Sequence, residues 1–112
     1  MPTPEQIDTI RRLNDAARTH PGLASLANVT MGFQALPELD RFAALVAITR
    51  FTKFDGNNDP HGEHDFGAFD HAGARLFWKI DYYDHTLRSA SPDPADPAVT
   101  TRVLTIMLAE EY

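Results

Sequence analysis

The sequence has no cysteine. That absence rules out a disulfide framework, a thiolate metal site and a cysteine nucleophile together. No run approaches the roughly 18 to 20 apolar residues that a membrane-spanning helix requires, and Met1-Pro2-Thr3-Pro4-Glu5 lacks the basic start and apolar stretch of a secretory signal. A soluble cytoplasmic protein with no membrane partner is the natural expectation. Gly-x-Ser-x-Gly, a phosphate loop and His-Glu-x-x-His are all missing. Bases are also scarce: 10 Lys and Arg stand against 16 Asp and Glu, for a formal net charge of −6. Direct binding of nucleic acid through phosphate neutralisation needs clustered Lys and Arg, so it is not expected.

What is present is acid, concentrated in one stretch. Between Asp55 and Asp96 lie nine acids (Asp55, Asp59, Glu63, Asp65, Asp70, Asp81, Asp84, Asp93, Asp96) and three bases (Arg75, Lys79, Arg88), a local balance of −6, while the rest of the chain is nearly neutral. A one-sided field of this kind bears on which partners the protein attracts and leaves the fold open. The length of 112 residues and 43% apolar content fit one domain, residues 1–112, with a modest core.

Local signals predict the order α-β-α-β-β-α. Thr3, Pro4 and Gln6 supply a cap hydroxyl, an N1 proline and a capping-box partner for a first helix. Its apolar positions are Ile7, Ile10, Leu13 and Ala17, with Arg11, Arg12 and Arg18 on other faces, and His20-Pro21-Gly22 ends it. Val29, Met31 and Phe33 alternate with polar or small residues as in a short strand. A second helix follows Pro37, with Phe42, Leu45, Val46 and Thr49 as its packed side and Glu38, Asp40, Arg41 and Arg50 toward water. Asp55 to Gly62 consists almost entirely of turn formers and reads as an exposed loop. Phe66 to Phe69 and Arg75 to Tyr83 form a hairpin joined through Asp70 to Ala74. Leu76, Trp78, Ile80 and Tyr82 lie on one face of its second strand, and Phe77, Lys79, Asp81 and Tyr83 on the other. Asp96-Pro97 then opens a last helix, apolar through Val99, Val103, Leu104, Ile106, Met107 and Leu108, either wedged in the core or forming a homodimer contact. The fold class expected is α+β: a mainly antiparallel three-stranded sheet flanked by helices.

Metal chemistry has candidate ligands. His61, Glu63, His64 and Asp65 lie close together, with His71 and His85 not far off, a set suited to zinc or manganese. A strand beginning at Glu63 would send His64 to one face and Glu63 and Asp65 to the other. Asp55 to Asp59 begins like a calcium loop, but Pro60 stands where glycine is required and Phe66 where the bidentate glutamate is required. No metal and no cofactor is assigned. Glu63 with Asp65, or Asp81 with Asp84, offers an acid/base pair without an identifiable nucleophile, so no catalytic residue is assigned.

The stretches Gly62-Glu63-His64-Asp65-Phe66-Gly67-Ala68-Phe69, Phe77-Trp78-Lys79-Ile80-Asp81-Tyr82-Tyr83-Asp84, Ser91-Pro92-Asp93-Pro94-Ala95-Asp96-Pro97 and Arg102 to Tyr112 resemble a family of small bacterial proteins catalogued as domain of unknown function 3768, often carried on mobile elements. The likeness covers roughly residues 5 to 112 and is specific in the C-terminal half; His61 departs from the tyrosine associated with that position. The resemblance implies no reaction. It further implies an anti-CRISPR inhibitor whose partner is the basic DNA-binding subunit of a type I CRISPR surveillance complex, with carboxylates standing in for phosphates. Asp55, Asp59, Glu63, Asp65, Asp70, Asp81 and Asp84 would form the mimic surface, with Tyr83 or Phe69 as an aromatic anchor. Lysine at Asp59 and Glu63 is then expected to abolish inhibition and leave the fold intact. A metal-dependent hydrolase or nuclease centred on Glu63, His64 and Asp65, and a passive dimeric interaction module, stand as alternatives.

Overall fold

A computed structural model describes residues 2–112. The first helix, α1 (Pro4–Thr19), starts where the cap signals place it: Thr3 Oγ1 accepts the Gln6 N–H at 3.1 Å, and Gln6 Oε1 accepts the Thr3 N–H at 2.8 Å. It is followed by β1 (Leu26–Val29), a single helical turn α2 (Met31–Gln34), and α3 (Glu38–Thr49). The hairpin strands are β2 (Phe66–His71) and β3 (Ala74–Tyr83), and β4 (Thr101–Leu108) closes the sheet between two 3-10 turns, Pro97–Val99 and Ala109–Glu111. Among the described residues no helix is long and apolar enough to cross a membrane.

The architecture is α+β, but the sheet is four-stranded and mixed, in the order β1-β4-β3-β2, with β1 parallel to β4 and the other neighbours antiparallel. The expected final helix is the strand β4. Asp96 and Pro97 do open a helical turn, with Asp96 Oδ1 accepting the Ala98 N–H at 2.9 Å, but it ends at Val99. Beyond it, Thr100, Thr101, Val103, Thr105 and Ile106 are β-branched and favour extended backbone. β4 is buried on both faces of the sheet, through Leu104 and Ile106 on one and Thr105 and Met107 on the other, and so reads as a nearly continuous apolar run, which periodicity alone cannot distinguish from a buried helix. Leu104, Ile106 and Met107 are accordingly buried.

Two smaller corrections follow the same logic. The alternation from Val29 to Phe33 is not one strand: β1 ends at Val29, and the Thr30 hydroxyl caps α2. In α3 the packed stripe is Ala44 and Ile48, one turn apart, whereas Phe42 and Leu45 are 67% and 37% exposed. Ala44 and Ile48 join the core on the side where α3 meets α1 and Ala17, which leaves the larger Phe42 and Leu45 turned outward.

The hairpin follows its alternation. Leu76, Trp78 and Ile80 are buried, Tyr82 is half-buried, and Phe77, Lys79, Asp81 and Tyr83 lie half-exposed on the other face. Its turn is shorter than the residues suggested, only Ala72 and Gly73, both at positive φ (52° and 82°) as a tight primed turn demands. Trp78 sits against Phe51 and Phe54, edge-on to both, and Gly67 lies directly over its indole. A side chain at Gly67 would overlap that ring.

Candidate functional site

The loop between α3 and β2 is not free. It is sewn to α1 by polar side chains that spacing alone did not reveal. Asn14, fully buried, donates from Nδ2 to the Glu63 carbonyl at 2.9 Å and to the Tyr82 hydroxyl at 2.7 Å. Tyr82 donates to Glu63 Oε1 at 2.7 Å, and Arg102 donates from Nε to Asn14 Oδ1 at 2.7 Å. The far end of the Arg102 guanidinium donates to the Pro94 carbonyl. Burial and the bond to Glu63 push the Tyr82 phenol far above its ordinary range, so it acts as a neutral donor. Burial lowers the Arg102 pKa from a value high enough that the group stays charged.

A second cluster lies one turn further along α1. Arg18 was expected on an outer face, yet it is 5% exposed. It donates to the Ile48 and Thr49 carbonyls at 3.0 and 3.2 Å, capping the end of α3, and pairs with Asp15 at 3.1 Å. His64 stacks on Phe54 with ring centroids 3.6 Å apart, and its two nitrogens face Asp15 Oδ1 at 2.8 Å and Asp59 Oδ2 at 3.6 Å. The Asp59 side chain, 8% exposed, also takes the His64 N–H at 2.9 Å.

Glu63, His64 and Asp65 therefore point to three different sets of partners: Glu63 to Tyr82, His64 to the carboxylates of Asp15 and Asp59, and Asp65 into a half-buried position. Burial, with Glu63 nearby, raises the Asp65 carboxyl above its ordinary range. Among the described residues, no three His, Asp or Glu side chains are grouped to hold a metal ion.

The remaining acids are distributed unevenly. β3 runs toward Tyr83, which faces Thr101 at the start of β4, and β2 begins at Phe66 opposite Lys79, so one end of the sheet collects the entry to β2, the exit of β3 and the entry to β4. Asp65, Asp81, Asp84, Asp93 and Asp96 belong to that end. Asp70 lies opposite Arg75 near the hairpin turn, at the far end, and pairs with it at 3.2 Å. Asp81 pairs with Lys79 at 2.8 Å, and that contact raises the lysine pKa.

Asp55, Asp84, Asp93 and Asp96 are held differently. Asp55 Oδ1 accepts the Asn57 and Asn58 N–H groups, both at 3.0 Å, and the Asn58 bond is the main reason its carboxyl lies below the ordinary value. Asp84 Oδ1 takes the Thr86 hydroxyl at 2.7 Å, the main cause of its own lowered pKa, with the Thr86 N–H at 3.1 Å in support. Asp93 accepts the Ala95 N–H at 3.1 Å, and Asp96 that of Ala98. Tyr83 is half-buried on the open face beside Thr101, while Phe69 packs against the core.

Residues 29–111 match a family described as a protein of unknown function, DUF3768. The chain belongs to this family. The DUF3768 match begins in β1, so α1, which contributes Asn14, Asp15 and Arg18, precedes the matched segment. No curated protein and no solved structure matches the chain.

Proposed function

We propose that this protein is an acidic protein-binding inhibitor, presenting carboxylates where a basic, DNA-binding surface expects phosphates, and that its target is a type I CRISPR surveillance complex. The observation that carries the reading is the way its acids are held. Asp55, Asp84, Asp93 and Asp96 are fixed by backbone N–H and hydroxyl donors of their own turns. Their charge is thus positioned without being neutralised, and the low pKa of Asp55 and Asp84 keeps those two ionised at neutral pH. A binder whose charged groups are already ordered avoids much of the entropy cost of association, and a field of one sign accelerates encounter with a basic partner.

Asp65 and Asp81 border the same end of the sheet as Asp84, Asp93 and Asp96, and the half-exposed Tyr83 on β3 supplies an aromatic anchor. Asp70 contributes at the periphery. Asp59 and Glu63 serve this reading indirectly: their side chains are tied to His64 and Tyr82 and shape the loop, so lysine at either position would disturb the fold as well as the charge. Such a protein acts by occupancy and needs no turnover. A cytoplasmic site of action and carriage on bacterial mobile elements belong to the same proposal.

Asparagine separates charge from structure, because its side-chain oxygen can keep the turn hydrogen bonds that aspartate makes. Purified type I-C surveillance complex, assayed for target-DNA binding, is expected to lose that binding when the wild-type protein is added and to co-migrate with it. The combined variant Asp55→Asn, Asp84→Asn, Asp93→Asn, Asp96→Asn is expected to unfold like wild type and to lose inhibition. Undiminished inhibition by that variant would refute carboxylate mimicry; absence of co-migration with any type I subtype would refute the target.

A further inference from the structure

The two edges of the sheet differ in charge. At the outer edge of β2, which carries Asp70, buried Asn58 accepts the Ala68 N–H at 2.8 Å and donates to the Lys53 carbonyl at 3.0 Å. The outer edge of β1 is bare. Val29 is in register with Ile106, and the Thr30 N–H donates to the Ile106 carbonyl at 3.1 Å, so residues 26, 28 and 30 direct their backbone groups toward β4. Residues 25, 27 and 29 direct theirs outward. Among the described residues, only the Val29 carbonyl of that outward set has a hydrogen-bond partner, Gln34 Nε2 at 3.1 Å.

An unpaired edge is a template for another strand, and proteins usually blunt it with lysine, proline or a bulge. β1 carries none of these, and no charged residue occurs from Pro21 to Pro37. Leu23 and Met31, on either side of the strand, are 88% and 85% exposed, and Leu26 is 49% exposed. The occupant follows from charge. Two copies with a net charge of −6 each meet like charge if they approach through the loop or the hairpin. β1, at the opposite edge from β2, has no charge to oppose itself. A two-fold antiparallel arrangement also places the two Asp93 to Asp96 connectors, which lead into β4 beside the start of β1, at diagonal corners.

We propose that β1 is the contact of a symmetric dimer, pairing antiparallel with β1 of a second copy about Ala27 and joining two four-stranded sheets into one. Each Ala27 N–H donates to the Ala27 carbonyl of the other copy. Each Val29 N–H donates to the opposing Ser25 carbonyl, and Leu26 faces Asn28 on the open side of the sheet. The inference is independent of the target of the acidic end.

Sedimentation of the full chain over a wide concentration range is expected to show the 12.5 kDa monomer giving way to a species of twice that mass. Ala27→Pro, which removes the central donor at an edge where proline is tolerated, and Leu26→Lys, which charges the edge, are both expected to leave only monomer with unchanged circular dichroism. Since the chain has no cysteine, Ala27→Cys is expected to form an intermolecular disulfide on oxidation, while Asn57→Cys in the exposed loop does not. A wild-type protein monomeric at every concentration would overturn the proposal. So would a dimer that survives in folded Ala27→Pro and Leu26→Lys but is lost in Phe42→Lys, which would assign the contact to the outer face of α3.

Discussion

Replacing Asn14 by leucine, similar in shape and heavy-atom count, tests whether the interior polar network holds α1 and the loop to the sheet. Three hydrogen bonds end on the Asn14 side chain, one of them from the Arg102 guanidinium. A bond to a charged group is worth about 1.5 to 3 kcal/mol and a neutral one about 0.5 to 1.5 kcal/mol. Because the three share one network they do not add in full, and a loss of about 3 to 4 kcal/mol is expected. With unfolding entropy scaling with chain length, that corresponds to a melting temperature lower by about 13 to 17 °C. Trp78 is the single tryptophan and is fully buried, so urea unfolding followed by its fluorescence measures the change directly. Arg102→Met should also destabilise, and the double variant should cost at least about 1 kcal/mol less than the sum, because each single variant strands the other's partner. A loss below about 1 kcal/mol for Asn14→Leu, or strict additivity, would refute the idea that these residues act as one unit.

Other expectations concern packing and pH. Gly67→Ala places a methyl group against the Trp78 indole and Phe51, and overpacking of this kind should cost about 1 to 3 kcal/mol in the same urea assay; wild-type stability would show that the tryptophan is not locked. Glu111 is held below its ordinary value of 4.5, chiefly by the Thr30 hydroxyl and then by the Leu108 N–H. Its stabilising contribution is present above that value and is lost as pH falls through the lower folded value, so the C-terminal turn should loosen in acid, read by hydrogen exchange at Leu108, and Glu111→Gln should blunt the effect. Asp65 has the opposite sign: its folded pKa is raised, so lowering the pH from neutral through that range should relieve a cost and raise stability. Asp65→Asn should be more stable than wild type at neutral pH and lack that rise; a pH profile unchanged by the substitution would discount the burial of its charge.

Much of the fold was legible because the signals were local. The capping box at Thr3, the two-faced alternation from Leu76 to Tyr83 and the cap at Asp96 each depend on a few neighbouring residues, and each is realised. The final strand was misread because its periodicity was erased by burial on both sides, although its β-branched residues carried the correcting signal. The outward turn of Phe42 follows from α3 packing through Ala44 and Ile48 instead, a tertiary matter that helical spacing does not encode. The site was legible only in part. The excess of acid between Asp55 and Asp96 is plain in the composition, but which carboxylates are committed inward depends on Asn14 and Asp15, 49 residues away from the Glu63 and His64 they hold. Asp93 and Asp96, which the proposed surface includes, sit in a proline-rich connector that reads as spacing rather than surface.

The position of β4 also governs how the chain can fold. It is the last strand in the sequence but lies between the first and third, so β1 has no sheet neighbour until residues 103 to 106 have been made. During synthesis the hairpin can form alone, while the uncharged segment around β1 waits for most of the chain length, exposed to wrong pairings. Such long-range closure makes for slow folding, and for a nascent chain most vulnerable immediately before its central strand arrives.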